Sequence, residues 1–188
     1  MKKLLIIAAA ILSFGAANAQ VAYIGYQNVS GRNKVGSTTM VNSYSGMLVG
    51  GSIINYEIYQ GIGVQPALEL NFYTRTEDHI KDTSVGLRVP VDFNYGFDVA
   101  PGLKVYGYAG PSFYLGLYRN QSVADVDSDW YDGKWSRFGF GFGFGAWCDW
   151  RDALRLKIGF DLGLNDRSES SADKYKENTF SITLGYIF

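Results

Sequence analysis

Apolar and polar residues alternate with a period of two along most of this chain, and almost nowhere with the 3.6-residue period of a helix. The clearest case is Leu154–Asn165. There Leu154, Leu156, Ile158, Phe160, Leu162 and Leu164 oppose Arg155, Lys157, Gly159, Asp161 and Gly163. In the segment 61–73, Ile62, Val64, Leu68, Leu70 and Phe72 oppose Gln65, Ala67, Glu69 and Asn71. In 83–97, Leu87, Val89, Val91, Phe93, Tyr95 and Phe97 oppose Arg88, Asp92 and Asn94. Phe138, Phe140, Phe142 and Phe144 alternate with Gly139, Gly141, Gly143 and Gly145. The pattern predicts eight strands, at about 20–28, 44–57, 61–73, 83–97, 103–119, 135–149, 154–165 and 178–188. The first, second and fifth alternate less cleanly, and their facing stays open. Segments 57–60, 98–102 and 150–153 read as tight turns. Segments 29–43, 74–82, 120–134 and 166–176 read as longer polar loops.

Two arrangements satisfy such alternation: a soluble barrel with its apolar face inward, and a membrane barrel with that face outward. Side-chain bulk separates them. Eight strands leave an interior only just wide enough for side chains. Six phenylalanines from 138, 140, 142, 144, 160 and 188 would crowd it. The opposite face is small and polar, with few of the lysines and glutamates of a water-facing surface. Its charges are of mixed sign: Glu69, Arg88, Asp92, Arg155, Lys157 and Asp161. Enclosed charges must pair, so a salt-bridge network inside the barrel is expected. The glycines of 139–145 make room for long side chains from facing strands. Without a following Lys-Ser or Lys-Thr they do not form a phosphate loop. Alternating short turns and long loops fits the membrane arrangement, with the loops outside. Aromatic girdles are expected from Tyr56, Tyr59, Phe97, Trp150, Tyr186 and Phe188 at one rim. Tyr44, Tyr73, Tyr118, Trp135 and Tyr175 are expected at the other.

The final segment is an apolar strand with an aromatic last residue. Phe180, Ile182, Leu184, Tyr186 and Phe188 share a face opposite Ser181, Thr183 and Gly185, and Ile187 breaks the rule. The first nineteen residues read as a secretory signal: Lys2 and Lys3, an apolar run Leu4 to Leu12, then Ala17, Asn18 and Ala19 before Gln20. The expected organisation is a signal over 1–19, cleaved after Ala19, and one barrel domain over 20–188. Cleavage would leave 15 of the 17 Lys and Arg against 18 Asp and Glu. That mild acidity argues against a nucleic-acid partner. A mean hydropathy of −0.06 does not exclude a membrane barrel, because alternation dilutes the apolar signal. Cys148, the single cysteine, cannot form an intramolecular disulfide and reads as a small apolar residue.

The chain holds little that carries chemistry. His79, its one histidine, is a formal candidate base beside Glu77 and Asp78, but no Gly-x-Ser-x-Gly elbow accompanies it. A solvated loop histidine is the better reading. Asp125, Asp127, Asp129 and Asp132 suggest a cation loop, but Trp130 and Ser136 stand where the EF-hand needs Gly and Glu. No catalytic residue, metal or cofactor is expected. Trp130 and Tyr131 would tip the third long loop and touch a partner or lipopolysaccharide. Arg32 and Lys34 in the first would meet lipid phosphates.

The closing strand from Phe180 to Phe188 resembles the C-terminal assembly signal of bacterial outer-membrane proteins. The whole mature chain resembles the small OmpA/OmpX-like barrels. Three motifs narrow this: Gln65 to Leu70 as Gln-Pro-x-Leu-Glu-Leu, Val89 with Pro90, and Ala109, Gly110 and Pro111. In that order they look like the "outer membrane protein beta-barrel" domain common in Bacteroidota. The resemblance implies an all-β, single eight-stranded antiparallel transmembrane barrel in the cell outer membrane. Its implied partners are outer-membrane lipid, lipopolysaccharide and the barrel-assembly machinery. The expected role is structural or surface interaction. The alternatives are a narrow porin-like transport channel, a lipid-modifying enzyme, or a soluble ligand-binding barrel. A fold does not fix an activity.

Overall fold

The computed structural model describes residues 20–52, 56–77, 80–123, 126–129, 131, 135–168 and 173–188. The expected signal, His79 and Trp130 lie outside the described residues, as do Asp78, Asp125 and Asp132. Ten strands follow in order: β1 (Val21–Val35), β2 (Thr38–Ser52), β3 (Tyr56–Tyr59), β4 (Ile62–Glu77), β5 (Ile80–Ala100), β6 (Leu103–Val123), β7 (Val126–Asp129), β8 (Phe138–Trp150), β9 (Leu154–Gly163) and β10 (Asp173–Ile187).

The sheet runs β2-β1-β10-β9-β8-β6-β5-β4-β3, and an added β2–β4 ladder closes it into a ring. β2 and β3 both pair with β4 and occupy one position in the wall. β7 is an extra arm on β6. Eight wall positions result, all antiparallel. β10 pairs with β1 from Val21↔Ile187 to Val35↔Asp173, so the last strand closes on the first. Closure removes every open edge from the hydrocarbon layer, where an unpaired backbone group has no water to bond.

Alternation sets the facing. On β8 every phenylalanine from Phe138 to Phe144 is exposed, while Gly139, Gly141 and Gly143 are buried. Leu154, Leu156, Ile158, Phe160 and Leu162 of β9 likewise face out. The bulk is outside and the small and polar residues are inside, which overturns the soluble-barrel alternative.

The two ends differ. At one end the connections are tight: Gln60 and Gly61 have φ of 40° and 85°, and Arg151 and Asp152 have 54° and 51°. Two successive positive φ values give the hairpin twist that matches the strands. Tyr56, Tyr59, Phe97, Trp150, Tyr186 and Phe188 are all exposed around this rim. At the other, the tall end, the strands outrun expectation. Segment 29–43, read as a loop, is mostly β1 and β2, joined by a two-residue turn at Gly36 with φ of 60°. Segments 74–82, 120–134 and 166–176 shorten in the same way, because β4, β5, β6 and β10 extend into them. The apolar alternation fades there while backbone pairing continues. Outside a hydrocarbon layer the strands need no apolar face, so polarity misplaces their ends.

Candidate functional site: the filled interior

Two polar layers fill the barrel. The first lies at mid-barrel. Glu69 and Arg88 are directly opposite on β4 and β5, and Arg88 Nε donates to Glu69 Oε2 at 2.6 Å. The Tyr23 hydroxyl donates to the other Glu69 oxygen at 2.9 Å. Arg88 also reaches Asp161 of β9 at 3.8 Å. Lys157 Nζ bridges the lumen to Asp92 Oδ2 at 2.5 Å and sits 4.2 Å from the Tyr108 ring centre. Toward the short-turn end, Arg155 makes a fork of two 2.7 Å bonds to Asp149. Its NH1 donates to Gln65 Oε1 at 2.8 Å, and its guanidinium lies 4.6 Å from the Trp147 ring centre.

The structure thus gathers five of the six sequence-derived charges into two groups, Glu69–Arg88–Asp161 and Asp92–Lys157. Arg155 pairs instead with Asp149. Asp149 was missed although it stands in phase with Gly143 and Trp147 on the inner face of β8.

The second layer lies toward the tall end, and sequence reasoning missed it. Glu177 of β10 receives Arg119 NH1 at 2.7 Å and is also bonded by Arg167 NH1. Tyr175 donates to Glu177 at 2.7 Å. The Arg119 guanidinium lies 5.1, 6.0 and 5.5 Å from the ring centres of Tyr44, Tyr73 and Tyr175. These three tyrosines were expected in the outer girdle. They are 1%, 4% and 1% exposed and point inward. Arg119 owes its facing to a bulge. Val85 pairs with Tyr118 but Gly86 pairs with Gly116, leaving Leu117 unmatched. One extra residue inverts the alternation beyond it, so Arg119 turns in where the earlier phase would turn it out.

Glycines open the space that the inward aromatics need. A Cβ on Gly159 would stand 2.2 Å from the Tyr108 hydroxyl, and one on Gly86 equally close to that of Tyr114. Tyr131 fits the same scheme. Expected at a loop tip, it is turned into the mouth, with its hydroxyl accepting from Arg167 at 3.3 Å and against Gly116. Arg137 lies 4.5 Å from its ring centre. The attraction of two guanidinium groups outweighs a free position in water.

A recess of about 180 Å³ opens at the short-turn end beside Glu57, Asn94 and Tyr106, but little room remains between the layers. A cavity of about 50 Å³ separates the layers, lined by Asn71, Ser112, Tyr114 and Gly141 among others. Another of about 20 Å³ lies beside Glu69 and Lys157. Of these two cavities, the first has space for a few waters, not for a solute. Among the described residues no three His, Cys, Asp or Glu side chains are placed to hold a metal ion. The C-terminal residues Ile182, Leu184, Tyr186 and Phe188 face outward, and the Phe180 ring centre lies 5.0 Å from that of Phe160.

A closed antiparallel ring, apolar outside and charged inside, suits one solvent arrangement: lipid around and side chains within. The family described as "Outer membrane protein beta-barrel domain" matches residues 20–169. The chain belongs to that family. Membership places this outer membrane barrel in the outer membrane. No curated protein matches it in sequence. Among solved structures, the outer membrane enzyme PagL is 11% identical with a TM-score of 0.50, covering 86% of this chain and 99% of that one. Neisserial surface protein A is 14% identical with a TM-score of 0.49, over 89% and 97%. Ail of Yersinia pestis, in complex with the heparin analogue sucrose octasulfate, is 14% identical with a TM-score of 0.46, over 89% and 98%. At such identities the likeness is one of fold.

Proposed function

We propose that this outer membrane barrel is a closed structural and surface-interaction protein, with its tall end facing outside and no solute path through it. The filled lumen carries this reading. Arg88 and Lys157 each cross to acids on other strands, and Arg119 and Arg167 meet on Glu177 above them. Purified barrel in planar bilayers is expected to give no conductance steps. Stable steps would move the assignment to a narrow transport channel. Catalysis is not part of the proposal: replacing His79 by Ala should leave lipid profiles unchanged, and an altered profile would make the barrel an enzyme.

Assembly is the second part of the proposal. The outward row Ile182, Leu184, Tyr186 and Phe188 offers an apolar, aromatic-ended strand to the barrel-assembly machinery. Unboiled protein from the outer-membrane fraction should migrate faster on an SDS gel than boiled protein. Phe188→Ser should reduce that fast-migrating form in cells, and an undiminished form would remove the signal role.

A further inference from the structure

The outward face of β1 and β10 changes character along its length. From the short-turn end, Ile24 stands opposite Leu184, Tyr26 opposite Ile182, and Asn28 opposite Phe180. Then Ser30 stands opposite Asn178, Arg32 opposite Lys176, and Lys34 opposite Lys174. One continuous face passes from apolar to polar to wholly cationic. All four cations are exposed. Directly opposed residues have Cβ atoms about 5 Å apart, and like charges so placed destabilise the pair. Here two such pairs follow one another.

Nothing described nearby neutralises them. None of the ion pairs among the described residues includes Arg32, Lys34, Lys174 or Lys176. Lys176 Nζ donates to the neutral Leu164 carbonyl at 2.9 Å. On the other side of β1, Arg32 and Lys34 face Val41 and Thr39. The exposed Asp166 directs one carboxylate oxygen to the N–H groups of Ser168 and Tyr175.

Position points to the kind of anion these cations suit. Lys176 is four residues beyond Phe180, about 13 Å along the strand. With the tilt of barrel strands this is about 10 Å above the last apolar side chain. The cations stand on the face that meets lipid lower down, at the height of the headgroups. We infer that Arg32, Lys34, Lys174 and Lys176 form a binding site for the phosphate groups of outer-leaflet lipopolysaccharide. The inference rests on the proposed orientation and gives the surface-interaction role a ligand class. A phosphate between two cationic pairs turns mutual repulsion into shared attraction.

The test uses the full chain folded in nanodiscs of neutral lipid, titrated with lipopolysaccharide and with the same material stripped of phosphate. The variant R32Q/K34Q/K174Q/K176Q is expected to bind lipopolysaccharide about 1,000-fold more weakly, as the loss of four near-surface cations implies. Stripping the phosphate should weaken the unaltered chain to a similar extent. Lys174→Glu faces Lys34 and should raise the temperature of the gel shift while still losing affinity, which separates the site from folding. Equal affinity of the unaltered chain and the fourfold variant would overturn the inference. Displacement of lipopolysaccharide by micromolar inorganic phosphate would overturn it too, by assigning the site to a free anion. Conductance measured on the same samples reports separately on the closed-barrel reading.

Discussion

The mid-barrel layer and the tall-end layer solve the same problem with different parts. At mid-barrel the charges sit on β4, β5 and β9, and neighbours such as Glu69 and Arg88 meet directly across one ladder. The Glu69–Arg88 contact is a local consequence of register, while Arg88–Asp161 and Lys157–Asp92 cross the lumen between β5 and β9. At the tall end Arg119 comes from β6, Arg167 from the segment after β9, and Glu177 from β10. Two cations share one carboxylate, and tyrosine rings complete their surroundings. The first layer is a set of small separate contacts, the largest of them Glu69–Arg88–Asp161. The second is a hub, so its members are not replaceable one at a time.

Removing the hub should cost most. Glu177→Leu leaves two buried guanidinium groups facing each other, and a loss of about 3–5 kcal/mol is expected by urea unfolding in lipid vesicles. In the pairwise layer, E69L/R88M removes both partners and should cost far less than Arg88→Met alone, which strands Glu69 at about 3 kcal/mol. A double cycle as non-additive for the pair as for the hub would erase the contrast. Next comes overpacking: Gly159→Val pushes into the Tyr108 hydroxyl and should cost about 2 kcal/mol, and Tyr108→Phe in the same chain should recover part of it. The smallest effect belongs to the exposed Arg75–Glu77 pair, where Glu77 is 61% exposed. Glu77→Ala should change stability by no more than about 0.5 kcal/mol.

The same contrast explains what could be read in advance. Alternation on β4, β5 and β9 is unbroken, so the facing of Glu69, Arg88, Asp92, Lys157 and Asp161 followed from counting by two. Counting fails at Leu117, because nothing in the residues Leu115 to Arg119 marks the bulge that turns Arg119 inward. It fails again for Tyr44, Tyr73 and Tyr175. A tyrosine suits a membrane rim and a polar interior alike, having an apolar body and a hydroxyl that seeks a partner. The interior choice depends on Arg119 and Glu177, which are remote in sequence. Gly31, Gly86 and Gly116 were the available clue, since each vacates space for an inward tyrosine hydroxyl.

The closing ladder has a dynamic meaning. β2 meets β4 only from Ser45↔Thr74 to Ser52↔Ala67, whereas β1 is paired with both neighbours along its whole length. Beyond Ser45 the wall divides into two curtains, β10-β1-β2 on one side and β4-β5-β6 on the other. Arg119 bonds from the second curtain to Glu177 and Tyr175 on the first. It is the clasp of a slit. Local opening in proteins takes the route with the fewest hydrogen bonds to break, so the outer mouth should part along this slit, on microseconds to milliseconds, while the ring beneath stays shut. Backbone amide exchange would record it as a fast zone that stops at Ser45.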